Sequence, residues 1–345
     1  MTRRCQSRLC LLILSTVAVA IALAVDMEAK DESITLKAMG SFYVGGQRTL
    51  IQHSGSGAAA RPGHIWDGGM YVRYMIPSSN RPKAAVVMWS GGCHTGKSFE
   101  TTPDGREGWD MIFVRAGHPV YVVDATYRGR SPVSQETLIA ARSGDAAPDT
   151  LPNLLTCDEE QAAAVRGGFR LRNSNFPIEA LDQYLAQLVP DWFFSVQNGP
   201  VPNSRALIAL LEKIGPAVVL AHSQGGLSVY PTLIARPDLF TAYVAVEALG
   251  SCTAITEAGP RFPGGVPVLV MSGDPIEANT PPPFGIDGCK VVASRNPNLK
   301  LTIDYLPDAG IRGNSHMMML DSNNKQIADR IMSWVDRNVN ARKSR

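Results

Sequence analysis

The sequence predicts an α/β protein: a mainly parallel sheet with helices on both faces and one inserted segment. Three observations carry that expectation. Short β-branched runs alternate with longer amphipathic ones. The short runs are near-continuously apolar, as in strands covered on both faces, whereas a half-exposed sheet alternates apolar and polar residues. Finally, 345 residues with 45% hydrophobic content can bury one large core.

The N-terminal stretch stands apart from this pattern. Arg3, Arg4 and Arg8 precede the apolar segment Leu9 to Val25, which ends in small residues, so residues 1–24 are expected to be a secretory signal. An uncleaved anchor is the alternative, because the segment is near the lower length limit for a span. Removing its three arginines from the 33 basic residues leaves 30 against 31 acidic ones, and no nucleic-acid partner is expected at that balance. The expected location is secreted or periplasmic, with no stable membrane span after cleavage; an oligomer is compatible with the sequence. Export would place Cys93, Cys157, Cys252 and Cys289 where disulfides persist. Pairing cannot be deduced from sequence alone, and Cys252 with Cys289 is the pair expected.

Residues 25–345 are expected to form one domain. "SFYVGG" and "YVRYMIP" have no helix between them and predict an antiparallel edge. The later strands are "AAVVMW" (84–89), "VYVVD" (120–124), "AVVLAH" (217–222), "AYVAVE" (242–247), "VPVLVM" (266–271) and "LTIDYL" (301–306). Helices are expected around 107–116, 204–214, 225–235 and 323–338. From about 131 to 203 the rhythm breaks. That region is rich in Pro, Gly, Asp and Asn yet contains the helically spaced "IEALDQYLAQLVPDWFF", so it is expected to be an inserted cap, since so long a structureless loop would be unusual.

"VVLAHSQGGLSVY" (218–230) is the most informative stretch. A strand runs to His222, Ser223 sits at the turn, Gly225 and Gly226 follow, and a helix begins. This is the small-x-Ser-x-Gly pattern of a nucleophile elbow, with Ala221 in place of the first glycine. Small residues are needed because the turn strains the serine backbone and brings neighbouring chains close. A serine hydroxyl is a poor nucleophile until a base takes its proton and an acid orients that base. Of six histidines, His316 in "GIRGNSHMMM" follows the last strand and precedes the last helix, where chain order puts the base. His222 adjoins the serine and is expected, by strand alternation, to point away. Two carboxylates compete for the acid: Glu247 ("VAVEALG") and Asp274 ("VMSGDP") each end a strand at the same edge, and the residues alone do not separate them. The backbone amide of Gln224 is one donor to a developing oxyanion, and a second is expected from the loop after an early strand.

That loop is "SGGCHTGKS" (90–98), whose Gly91, Gly96, Lys97 and Ser98 have the spacing of a phosphate loop. A phosphate loop leads straight into a helix that holds the phosphates. Here "FETTPDGREGW" follows, with Pro103, Gly105 and Gly108 where that helix should run, so nucleotide binding is not expected. "DATYRGRS" (124–131) fits the Asp, Arg-Gly and Ser turn common in α/β-hydrolases rather than a Mg²⁺-binding strand.

"GGCHTGKSFETTPDGREGWD", "RGRS", "AHSQGG" and "GNSHMMMLDSNN" together resemble a group of bacterial α/β-hydrolase esterases whose oxyanion loop carries two adjacent cysteines joined as a vicinal disulfide. The resemblance runs from about Ser41 to the C-terminal helix and weakens in the cap. It implies the α/β-hydrolase fold and a Ser-His-Glu triad, which selects Glu247 over Asp274, and it supports pairing Cys252 with Cys289. The chain departs from that family at one point. Gly92 and Cys93 stand where the family has two cysteines, so a vicinal disulfide is impossible and rigidity of this loop must come from elsewhere.

The function expected is an exported serine esterase acting on a small-molecule ester. Ser223, His316 and Glu247 form the triad, the amides of Gly92 and Gln224 the oxyanion hole, and no metal or organic cofactor is required. Amidase, lactonase or thioesterase chemistry would use the same machinery, and a non-catalytic binding module on this scaffold would be expected to have lost part of the triad. The cap aromatics Phe169, Phe176, Trp192 and Phe193 suggest a hydrophobic acyl or alcohol pocket. Met317 to Met319 are expected to pack, since Met fills irregular space readily.

Overall fold

A computed structural model describes residues 33–51, 62–81, 83–132, 174–189, 201–250, 252, 255–256, 259, 262–274 and 286–339. The signal expected over 1–24 and most of the cap, including Cys157, Phe169, Trp192 and Phe193, lie outside the described residues. All the elements below belong to one compact unit beginning at Leu36.

The eight described strands are β1 (Leu36–Ile51), β2 (Gly63–Pro77), β3 (Val86–Trp89), β4 (Val120–Asp124), β5 (Ala217–His222), β6 (Phe240–Val246), β7 (Val268–Ser272) and β8 (Leu301–Tyr305). They form one sheet in the order β1-β2-β4-β3-β5-β6-β7-β8. The pairs β1–β2 and β2–β4 are antiparallel, and every other pair is parallel. The antiparallel edge is therefore where the uninterrupted strands predicted it, although β1 begins five residues before "SFYVGG". Every residue of β5 and β7 is buried, as continuous apolar strands require.

Helices cover both faces. The described ones are α1 (Trp109–Arg115), α2 (Leu181–Leu185), α3 (Val201–Ile214), α4 (Gly226–Ala235), α5 (Ile286–Arg295) and α6 (Asn324–Asn338). Ala217, Val219 and Ala221 of β5 point into a core that contains Leu207 and Leu211 of α3, Val229 and Leu233 of α4, and Cys289 of α5. Alternation sends Val218, Leu220 and His222 to the opposite face, where α1 and α6 pack together. Trp109 Nε1 donates to the Asn324 carbonyl at 2.9 Å there. Met317, Met318 and Met319 are fully buried packing residues. Helix α5 was not expected from its sequence, "IDGCKVVASR", which has a glycine in its first turn and no sustained apolar stripe.

The parallel registers align the ends of the central strands: Trp89 lies opposite Ala221, His222 opposite Val246, Val246 opposite Met271, and Ser272 opposite Tyr305. The loops after β3, β5, β6 and β7 therefore emerge side by side at one carboxyl edge, where open α/β sheets place their ligands.

Candidate active site

The elbow follows from local sequence. Strand β5 ends at His222, a single 3-10 turn spans Ser223–Gly225, and α4 starts at Gly226. Ser223 has φ 51°, a left-handed conformation that a side-chain-bearing residue adopts only when its surroundings enforce it. The enforcing neighbours sit very close. A Cβ on Gly226 would lie 2.4 Å from the Leu249 carbonyl oxygen, and one on Gly91 would lie 2.7 Å from Ser223 Cβ. The Leu249 amide donates to the Ser223 carbonyl at 2.8 Å, tying the elbow to the loop after β6.

Glu247 is the first residue of that loop and is buried, with φ 43°. Its Oε1 accepts from the Gly273 amide at 2.9 Å, and its Oε2 makes a short contact with Nδ1 of His316. Burial pushes the Glu247 carboxyl up to about 8 against the lowering effect of the Gly273 amide. Asp274, the competing acid, faces elsewhere: its Oδ2 accepts from the Asn314 amide at 3.2 Å and its Oδ1 lies 3.9 Å from Arg312. Both carboxylates thus touch the loop that carries His316, but only Glu247 meets the imidazole in the described contacts.

His316 is delivered by the loop between β8 and α6, and a buried carboxylate that sequence reasoning missed holds that loop. Asp321 accepts from the Ser315 amide (2.8 Å), the Ser315 hydroxyl (2.6 Å) and the Asn314 side-chain amide (3.0 Å). Burial raises the Asp321 carboxyl to about 7. Its signal in the sequence is "MMMLD", an acid that closes an otherwise apolar run.

The expectation for His222 is corrected. Its ring packs against that of His316 with centroids 4.5 Å apart, and its Nε2 lies 2.9 Å from the His316 carbonyl oxygen. Alternation does turn it away from the α3–α4 face. It turns towards the face of α6, however, and the chain leading to α6 crosses there with His316.

The loop after β3 is built against the elbow. Ser90 Oγ donates to the His94 carbonyl at 3.0 Å, and His94 Nδ1 lies 2.6 Å from the Gly92 carbonyl. Buried Arg128, also missed from sequence because "RGRS" read as a turn alone, donates to the Gly91 carbonyl (2.6 Å) and to Gln224 Oε1 (2.8 Å). The Cys93 sulfur is disulfide-bonded, and with Gly92 and His94 as neighbours that bond is not vicinal. The described part of the cap sits on the same loops. The Val189 amide donates to the Cys93 carbonyl at 3.1 Å, Tyr184 packs against His94, and the Asn175 amide donates to the Gly313 carbonyl at 2.7 Å.

The phosphate-loop resemblance fails on geometry as well as on spacing. Gly96–Phe99 makes one 3-10 turn rather than a long helix. The Gly96 amide donates to Asp124 Oδ1 at 2.8 Å, so a carboxylate already occupies a donor that a phosphate would need. Lys97 Nζ donates to the Thr101 carbonyl. Cys252, in the segment following β6, and Cys289 of α5 are joined as a disulfide with Cα atoms 5.0 Å apart.

No family model matches the chain. It is 33% identical to the protein in a solved structure described as that of a novel bacterial esterase, with a TM-score of 0.77 over 90% of this chain and 99% of the other. It is 27% identical over 318 residues to the probable secreted lipase phiG of a fungal species (strain ATCC 74256), covering 78% of this chain and 86% of that protein.

Proposed function

This chain belongs to the α/β-hydrolase esterases and is a carboxylic ester hydrolase, and from that membership we propose that it works through an acyl-enzyme on Ser223. Ser223 Oγ attacks the ester carbonyl while His316 takes its proton through Nε2. Glu247, on Nδ1, keeps the imidazole in the tautomer that accepts at Nε2 and stabilises the imidazolium once it forms. The amides of Gly92 and Gln224 donate to the oxyanion of the tetrahedral intermediate. His316 then returns the proton to the leaving alkoxide, and a water activated by the same imidazole hydrolyses the acyl-enzyme.

The observation that carries this reading is the contact of Glu247 with His316, whose ring lies against the residue preceding a strained, buried serine. Asp274 takes no part in the chemistry and serves to anchor the loop at Asn314. The protein is exported by its N-terminal segment, consistent with the secreted character of its fungal relative. Ser223→Ala should abolish turnover of a p-nitrophenyl ester and labelling by a fluorophosphonate. A folded Ser223→Ala protein with unchanged turnover removes the mechanism.

A further inference from the structure

We infer that Arg128 is the positioning residue of the oxyanion hole: one buried guanidinium sets the aim of both donor amides. The inference rests on the acyl-enzyme reading above and deepens it. Arg128 is 6% exposed and leaves the turn after β4 between Tyr127 (φ 65°) and Gly129 (φ 56°), two left-handed residues in a row of three. Such backbone persists only where the surroundings over-determine it. Its Nη1 donates to the Gly91 carbonyl at 2.6 Å and to the His94 carbonyl at 3.3 Å, and its Nη2 donates to Gln224 Oε1 at 2.8 Å.

Peptide geometry turns these contacts into a function. In a trans peptide the C=O of one residue and the N–H of the next lie in one plane and point in opposite directions. Drawing the Gly91 carbonyl onto Arg128 therefore aims the Gly92 amide the other way, out of the guanidinium's side of the loop. Glycine at 91 and 92 leaves that peptide free to rotate unless something holds it, and the disulfide at Cys93 restrains the loop only from the residue that follows. The other arm of the same guanidinium grips the side chain of Gln224, whose amide is the second donor. One rigid fork thus couples the loop after β3 to the elbow after β5.

Lysine is the informative substitution, since it keeps the charge but cannot span both acceptors. Arg128→Lys should lower kcat about 10- to 100-fold with KM changed by less than about threefold, and should weaken a trifluoromethyl ketone inhibitor, which forms an oxyanion on Ser223, by a similar factor. Added guanidinium should restore part of the activity of Arg128→Ala. Gln224→Met, which retains the backbone amide but loses the grip, should lower kcat as well, with the Arg128→Lys Gln224→Met double variant less impaired than the product of the two single losses. Wild-type kcat and inhibitor affinity in Arg128→Lys, or independent effects of the two substitutions, overturn the inference. The Gln224→Met arm decides the matter even if Arg128→Ala does not fold. Should Ser223→Ala be inactive while Arg128→Lys behaves as wild type, the positioning role falls and the acyl-enzyme stands. An active Ser223→Ala removes both.

Discussion

Among the described residues, four non-glycine residues have positive φ: Cys93, Tyr127, Ser223 and Glu247. They follow β3, β4, β5 and β6 in turn, so the strain at these four residues is stored at the carboxyl edge. Each such residue costs on the order of 1–3 kcal/mol, which packing elsewhere must offset. The tolerance for added bulk is correspondingly small. Gly91→Ala drives a methyl group to within 2.7 Å of Ser223 Cβ and 2.8 Å of His222 Nδ1. We expect a loss of about tenfold or more in kcat together with a lower Tm, since the buried His222 ring on one side and Ser223 on the other cannot yield cheaply. The two acids should separate cleanly in the same assay. Glu247→Gln should lower kcat by about 10²- to 10⁴-fold, because a neutral amide cannot stabilise the imidazolium. Asp274→Asn should cost less than about tenfold, as it removes only a loop anchor. A larger loss for Asp274→Asn would reverse the assignment. Because burial lifts the Glu247 carboxyl to about 8, it keeps its proton at lower pH and must lose it to accept the Nδ1 hydrogen. The kcat/KM profile should therefore climb as pH rises through that region, with the apparent value belonging to the Glu247–His316 pair.

The loop between β8 and α6 carries His316, and Asp321 gathers it through Ser315 and Asn314. Burial raises the Asp321 carboxyl to about 7 from an ordinary value of 3.8, and the sign of the resulting linkage is definite. Between those values the unfolded chain has released the proton and the folded chain retains it, so stability is lost as pH rises through the interval. Asp321→Asn cannot titrate. Its Tm should lie below that of the wild type, because an amide cannot accept from three donors, but the gap should narrow as pH rises from about 4 to about 7. Thermal melts across that range test this; a constant gap means Asp321 is already ionised in the fold. Reading this element from sequence failed for a physical reason. The residues between β8 and α6 have no period, so their order comes from one carboxylate folding back on residues six and seven positions earlier, a pattern that neither helix nor strand spacing reveals.

Across the whole molecule, one covalent link ties α5 to the segment following β6. The Cys252–Cys289 disulfide closes a loop of sequence separation 37, which the chain-entropy account values at about 3–4 kcal/mol. Replacing both cysteines by serine should lower Tm by several degrees, and esterase activity at low temperature should survive because both cysteines belong to the hydrophobic core cluster and neither bonds to Ser223, His316 or Glu247 in the described contacts. Among the described residues no helix is long and apolar enough to cross a membrane. Much of this architecture was legible beforehand. All eight runs named from sequence became strands and four amphipathic runs became helices, and in the central strands burial on both faces imposes a composition that local sequence displays directly.

Residue order alone settled the α/β class, the antiparallel edge, the elbow at Ser223 and the place of His316 after the last strand. These are local: each is a period, a small residue at a tight turn or a position in chain order. Apart from the family resemblance, which favoured Glu247, only tertiary structure could decide which carboxylate meets His316, since Glu247 and Asp274 end neighbouring strands at one edge and differ in where the incoming loop lands. It also turned His222 towards His316 and put Arg128 between the Gly91 carbonyl and Gln224. Those contacts join residues 37 to 96 positions apart, and no spacing rule reaches that far, because the sheet registers that bring the loops together are set by packing along the entire chain.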